Sequence, residues 1–303
     1  MLYQQISANK RNTIIVLFLF GLLMVALAGF FGFLFESLKL AFWIFVGSII
    51  YALIAYFYAA GVLMQINDAI ELSPTDHPQL FTMIEELCIA AALPMPRVYL
   101  IETDCPNAFA TGRNPNHASI AVTTGLLNMM EPDELQAVIG HELSHVKNYD
   151  TQVTTITSVL AGLISSTGFF FLALGWELMR SRFENFYMQI IFYLLGFLGL
   201  FIGLVIICIG IPISKILYFM LSRQREYLAD ASSVYLTRNP DGMIRALQKL
   251  RGDHHVMPRG GALGHELYFN ISEVGSWFTN LFSTHPTLDK RISRLLESFS
   301  TRQ

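Results

Sequence analysis

Charge is scarce in these 303 residues: Asp, Glu, Lys and Arg together make up 14% of the chain, and the formal net charge is -3. The few positive residues lie beside apolar stretches rather than in a stripe, so the chain lacks the footprint of a nucleic-acid-binding protein. Cysteine is equally sparse. Cys88, Cys105 and Cys208 form no CxxC pair, and one of them sits inside an apolar run. Neither a disulfide framework nor a thiolate metal site is suggested, and a reducing compartment is the mild expectation. Internal repeats and low-complexity tracts are missing. A cleaved leader is not expected either. The first apolar run, Thr13 to Phe35, exceeds a signal core, lacks a small-x-small cleavage site and soon meets a second run, Leu40 to Met64.

What the chain has in excess is apolar surface: 53% of its residues are hydrophobic and its mean hydropathy is +0.47, beyond what a soluble domain of this size carries. The two early runs predict a transmembrane hairpin over residues 1–68. A second apolar pair, Ile156 to Leu178 and Tyr187 to Phe219, predicts another hairpin at about 154–219, with a buried core pair as the alternative. Gly199 and Gly203 make a GxxxG pattern that lets helices approach closely. The sequence between the hairpins and after them is polar enough to be a soluble domain, so residues 69–303 are expected to form one catalytic unit interrupted by the second hairpin.

Within that unit a helix is expected from Gln79 to Ala92. Arg97 to Glu102 and Ala118 to Thr123 read as paired short strands, and the Gly-, Pro- and Asn-rich segment Asn107 to Asn116 lies between them. Pro132, followed by Asp133 and Glu134, marks the start of a helix whose buried face is Leu135, Val138 and Ile139.

That helix carries His141-Glu142-Leu143-Ser144-His145, an HExxH motif. Histidines four residues apart share one helical face and reach one metal ion, while the adjacent glutamate can serve as general base toward a water. Ser144 points off that face. A catalytic zinc takes three protein ligands, so a third is needed. Glu226, in Arg225-Glu226-Tyr227-Leu228-Ala229-Asp230, is a candidate, with Asp230 one turn further on the same face to orient a ligand histidine. The residues alone leave open an amphipathic helix with two exposed acids. His254 and His255 are adjacent and cannot share a face, and His77, His117 and His265 have no ligand-like partners, so all five are expected to be structural or loop residues.

Four segments together, His141 to His145, Glu226 to Asp230, Asn107-Ala108-Phe109-Ala110-Thr111-Gly112 and Ser283-Thr284-His285-Pro286 through Arg291-Ile292, resemble the motifs of the HtpX family of membrane zinc proteases, relatives of the CaaX prenyl proteases. Thr287 departs from the second proline often found after the histidine in that family. The resemblance implies one zinc ion per chain held by His141, His145 and Glu226, with Glu142 as the catalytic carboxylate. It also implies that Asn107, Ala108, Phe109, Ala110 and Thr111 form an edge strand that pairs with extended substrate, and that His285 holds the substrate or the charged intermediate, unless that histidine is structural. The expected fold is a mainly α integral membrane protein, with four transmembrane helices and an α+β zincin-like (gluzincin) catalytic domain. The expected activity is zinc-dependent endopeptidase action on protein substrates, chiefly membrane proteins, in quality control of damaged ones.

His145 and Glu226 must meet at one ion, so an even number of crossings separates them. Lys10, Arg11, Lys147, Lys215, Arg223 and Arg225 then fall on the catalytic side, against Lys39, Arg180 and Arg182 opposite. Positive charge favours the cytoplasm, which predicts a multi-pass protein of a bacterial-type inner membrane with its catalytic domain in the cytoplasm. Two other functions compete. A transporter or metal-stabilised scaffold would carry polar groups at mid-span and has no use for Glu142. A prenyl-protein protease would need more spans to build its chamber.

Overall fold

The computed structural model describes residues 36–219, 223–253 and 286–300 without a break, together with scattered positions before residue 36. The run Thr13 to Phe35, and with it the first half of the N-terminal hairpin, therefore lies outside the described residues but for isolated positions, as do His254, His255, His265 and the Ser283 to His285 part of the last motif.

Helix α1 (Leu38–Ile66) is capped by the Ser37 hydroxyl, which accepts from the Leu40 N–H at 3.2 Å. Its arms Leu38–Ile54 and Tyr56–Ile66 are bent by 62°. After the short β1 (Ile70–Glu71), helix α2 (Pro78–Ala91) begins on proline and ends on Ala92 in the left-handed region, φ 56°. Then come β2 (Arg97–Ile101), β3 (Ala108–Gly112) and β4 (Ala118–Thr123). The sheet order is β1-β2-β4-β3. The two strands expected to pair do so in parallel, with Val98 opposite Ile120. β3 runs antiparallel to β4 on its far side, Ala110 opposite Ile120, and so forms an edge of the sheet.

Strand alternation divides the core. Val98, Ala108, Ala110, Ile120 and Val122 join the main cluster with Ile84, Leu87, Val138, Ile139 and Leu143. Tyr99, Ile101, Phe109 and Ala121 face the other way and are covered by Met64 at the end of α1. The C-terminal end of α1 is thus packed on the sheet.

The short α3 (Thr124–Met129) leads to α4 (Pro132–Lys147), the HExxH helix. Its expected start and buried face are found. Glu134 reaches back to accept from the Glu131 N–H at 2.8 Å and is ion-paired with Lys249 at 2.6 Å. Leu135, Val138 and Ile139 are buried. Then follow α5 (Asp150–Arg180), α6 (Phe186–Phe219), α7 (Arg223–Thr237), α8 (Pro240–Arg251) and α9 (Leu288–Ser300).

α5 and α6 form an antiparallel hairpin closed by Gln189, whose side chain donates to the Ser181 carbonyl at 3.0 Å and accepts from the Phe183 N–H at 2.8 Å. Glycines let the two backbones touch. A Cβ on Gly175 would lie 2.5 Å from the Leu200 nitrogen, one on Gly199 2.9 Å from the Gly175 Cα, and one on Gly203 2.7 Å from the Gly168 carbonyl oxygen. The GxxxG pair seen in the sequence therefore faces a second small-residue pair, Gly168 and Gly175, as packing between membrane helices favours. Phe169, Phe170, Trp176, Phe186, Tyr187, Phe197 and Phe201 point outward and are exposed. Among the described residues, Phe186–Cys208 alone is long and apolar enough to cross a membrane as a single helical segment, with mean hydropathy 2.9, and α1 joins it if its bent arms count as one span.

Candidate metal centre and active site

α4 brings His141 and His145 to one face, and their Nε2 atoms lie 3.1 Å apart. α7 crosses α4 closely because the residues between them are small. Ser233 meets Ala137 and Gly140, all three buried: its hydroxyl donates to the Ala137 carbonyl at 2.5 Å, and a Cβ on Gly140 would lie 3.0 Å from its Oγ. Glu226, Ala229, Asp230 and Ser233 share one helical stripe. The close crossing carries Glu226 to 3.6 Å from each histidine, Oε2 to His141 Nε2 and Oε1 to His145 Nε2. One ligand atom from each of the three residues falls within 4.8 Å of the others. Ser144, as expected, turns away: its hydroxyl donates to the Gly140 carbonyl at 2.8 Å.

The donor chemistry fits a divalent cation. His141 Nδ1 lies 2.9 Å from Asp230 Oδ1, and His145 Nδ1 lies 2.9 Å from Asp150 Oδ2. Ionised carboxylates only accept, so each Nδ1 carries the proton and each Nε2 presents a lone pair to the other. Two lone pairs at 3.1 Å repel unless a positive charge, a proton or a metal ion, lies between them. The spacing also suits zinc, since nitrogens about 2.0–2.1 Å from a tetrahedral ion stand roughly 3.3 Å apart. Charge agrees with geometry. Glu142, Asp150, Glu226 and Asp230 are buried together with Arg225 and Arg291, which leaves two negative charges for a 2+ ion to neutralise.

The electrostatic response of single groups tells the same story. Burial would depress the His145 pKa, yet the hydrogen bond to Asp150 and the charges of Glu226, Asp150 and Glu142 outweigh it and raise it to about 9, the mark of a site that attracts positive charge. Burial pushes the Glu142 carboxyl above its ordinary value, against the pull of His141 and His145. Burial alone would raise Asp230 too, but the Arg291 guanidinium and His141 hold it below the ordinary carboxylate range.

Glu142 is tied to the sheet: its Oε2 accepts the Ala110 N–H at 2.8 Å. The other β3 amides that turn away from β4 are engaged as well. Ala108 N–H donates to Asn107 Oδ1 at 2.9 Å, and Gly112 N–H lies 3.4 Å from Thr155 Oγ1 on α5. Asn107 itself is anchored to β4, its N–H donating to Thr123 Oγ1 at 2.8 Å. Of the segment Asn107 to Thr111, expected on resemblance to be an edge strand, Ala108 onward is one: β3 is a buried edge strand beside the HExxH helix, and Asn107 immediately precedes it.

Three residues given no role from the sequence are built into the site. Arg291 on α9 is buried and donates to both oxygens of Asp230, at 2.9 and 2.6 Å, with Nη1 3.8 Å from Glu226 Oε2. Asp150 and Arg225 form a second such pair behind His145. Arg291 belongs to the last of the four family-like segments and Arg225 directly precedes Glu226, so each lies beside a legible motif. Of the remaining histidines, His77 and His117 are exposed, the latter bonded to Asn114 at 2.8 Å. His285 lies outside the described residues.

Comparison with known proteins agrees with this architecture. The crystal structure of Ste24p from S. mikatae superposes with a TM-score of 0.51 over 97% of this chain and 67% of that one, at 17% identity, a likeness of fold. Protease HtpX homologues match along their whole length. That of Lactobacillus helveticus is 40% identical and that of Lactobacillus acidophilus 41%, each over 97% of this chain and 99% of its own. The homologue of Streptococcus gordonii is 39% identical with the same coverage. Residues 74–298 match Peptidase family M48. The chain belongs to peptidase family M48, the zinc-dependent peptidases, and is a membrane-associated metalloprotease that acts on proteins.

Proposed function

We propose that His141, His145 and Glu226 hold the zinc ion, that Asp230 orients His141, and that Glu142 is the general base of a membrane-embedded endopeptidase. The observation that carries this assignment is the convergence of two facing Nε2 atoms, a carboxylate 3.6 Å from each, and a second carboxylate, Glu142, bonded to the sheet edge. Zinc held there supplies Lewis acidity, which makes a water nucleophilic near neutral pH and stabilises negative charge developing on the peptide carbonyl oxygen. Glu142 takes the proton of the attacking water and returns it to the leaving nitrogen, and its burial strengthens it as a base. The Ala110 N–H holds the carboxylate against the edge strand.

Substrate binds in extended form along Asn107, Ala108, Phe109, Ala110 and Thr111, adding a strand to β3. Two features support this: β3 is an edge of the sheet, and its outward amide at Ala110 donates to Glu142. Incoming backbone would take over amides now held by Asn107 Oδ1 and Thr155 Oγ1. His285, next to the buried Pro286, is assigned to substrate or oxyanion binding on family resemblance.

The chain is read as multi-pass with four spans: a hairpin over residues 1–68, and a peptidase domain over 69–303 interrupted by a second hairpin at about 154–219. The apolar, outward-facing aromatics of α5 and α6 and their glycine-lined contact support the second hairpin. The distribution of Lys and Arg puts the domain in the cytoplasm of a bacterial-type inner membrane. Lipid is then a partner and membrane proteins, damaged or misfolded ones in particular, are the substrates.

The decisive experiment replaces Glu142 by Gln in the full-length protein in detergent. The amide keeps the shape but cannot take the proton, so zinc stoichiometry persists while hydrolysis of an unfolded protein substrate is lost. Full hydrolysis by E142Q would reject the mechanism.

A further inference from the structure

His141 is oriented by Asp230, which Arg291 grips from the far side. His145 has an arrangement of the same kind that involves different helices. Its Nδ1 lies 2.9 Å from Asp150 Oδ2, and Arg225 Nη1 donates to Asp150 Oδ1 at 3.0 Å. We propose that Asp150 is the positioning residue of His145 and that Arg225 holds Asp150 for that task, an inference that rests on His145 being a zinc ligand.

Three observations carry it. Both oxygens of the Asp150 carboxylate are committed, one to the ring and one to the guanidinium, so its plane is set from two sides. Both members of the ion pair are buried, so water and salt do little to weaken it. The backbone is also bent to make the contact. In an unbroken helix, residue 150 would lie about 140° around the axis from residue 145. The helix instead stops at Asn148, Tyr149 adopts φ 62°, and α5 restarts with Asp150 folded back over His145. β-Carbon-bearing residues enter that left-handed region only against a penalty.

The physical effect is on the metal. A carboxylate on Nδ1–H fixes the tautomer, aims Nε2 and makes it a stronger donor, and loss of such a partner lowers metal affinity by about ten- to a hundredfold. The pair also joins the residue that enters the α5–α6 hairpin to a residue just beyond its exit, 75 positions later. The ring that holds zinc is thereby referenced to both ends of the hairpin.

The alternative is that Asp150 merely neutralises Arg225 or favours the N-terminus of α5. Variants of the full-length, detergent-purified protein separate the two. D150A/R225M removes both buried charges together. Zinc affinity, measured by competition with a chromophoric chelator, should fall by about ten- to a hundredfold, and the visible spectrum of the cobalt-substituted protein should change. D150N/R225M restores an acceptor for the Nδ1–H and should regain most of the affinity. Affinity and cobalt spectrum unchanged in D150A/R225M would overturn the proposal. Should that variant not fold, D150N alone gives the answer, with a smaller loss of affinity supporting the proposal and no loss refuting it. H145A is the control for the underlying assignment. Zinc lost in H145A but kept in D150A/R225M would sink only the role of Asp150, whereas zinc kept in H145A would remove His145 from the ligand set.

Discussion

The backbone N–H of Ala110 donates to the Oε2 of Glu142 at 2.8 Å, across 32 residues of sequence. This one bond connects the HExxH helix to the edge strand of the sheet. It means that the carboxylate expected to move the proton and the strand expected to hold the peptide are registered to each other before substrate arrives. Disturbing the strand should therefore reach the chemistry, and disturbing the metal ligands should not reach the strand.

Removal of Glu226 tests the second half of that statement. With only two histidines left, E226A should lose zinc on gel filtration while keeping its helical content, because an isolated pair of ligands no longer makes a catalytic zinc site. Metal analysis and circular dichroism on the same sample check this. Stoichiometric zinc in E226A would require another third ligand.

The close crossing of α4 and α7 predicts a sensitivity at Gly140. A Cβ there would stand 3.0 Å from the Ser233 Oγ, and the branched side chain of G140V would force the helices apart and withdraw Glu226 from the histidines. We expect a zinc affinity at least about tenfold weaker and a destabilisation of roughly 1–3 kcal/mol from overpacking. Chelator competition and thermal unfolding measure the two effects. Wild-type affinity in G140V would show that the small-residue contact does not set the ligand distance.

Arg291 offers a charge experiment. It is buried against Asp230 and reaches toward Glu226, so R291M leaves a buried carboxylate without its guanidinium and should cost about 3–5 kcal/mol. The double variant D230N/R291M removes both charges and should recover part of that loss in denaturant unfolding. Zinc affinity should nonetheless stay below wild type in the double variant, because an amide supports His141 less well than a carboxylate. A double variant as unstable as R291M would argue against the pairing.

The second hairpin makes a prediction for lipid. Gly175 and Gly199 lie in backbone contact, so G199L should separate α5 from α6 and lower thermal stability in nanodiscs, whereas a leucine at the outward-facing Phe201 should be neutral. Equal stability of the two variants would refute the packing seen here.

The height of the active site above the bilayer follows from the same hairpin. Phe186–Cys208 suffices to cross the hydrocarbon core, and the 18 residues from Cys208 to Glu226 would span about 27 Å as a continuous helix at about 1.5 Å per residue. A spin label at Lys147, which is partly exposed near His145, should lie within about 30 Å of the lipid headgroups in nanodiscs. A clearly greater distance would mean that the domain stands away from the membrane and would remove the basis for preferring membrane-protein substrates.

Local sequence determined the features whose geometry is itself local. The four-residue spacing of His141 and His145 is a property of any helix, Pro132 and the acids after it mark where that helix begins, and the length of the apolar runs states how much chain seeks lipid. Glu226 and Asp230 are legible as a pair on one face and as candidate partners of the histidines, but the residues alone leave two exposed acids as an equal alternative. Only the tertiary structure decided the rest. Composition shows Asn107 to Asn116 only as Gly-, Pro- and Asn-rich, and an edge strand is implied there by resemblance alone; Ala108–Gly112 is a strand because β4 pairs with it and Met64 covers Phe109. Arg291 and Arg225 acquire meaning from carboxylates 61 and 75 residues away, a relation that no periodicity encodes. Asp150 meets His145 because one left-handed residue, Tyr149, reverses the phase of the helix. Short-range order can be read from spacing, but buried charges find their partners through the packing of helices distant in the chain, and that packing exists only once the chain has folded.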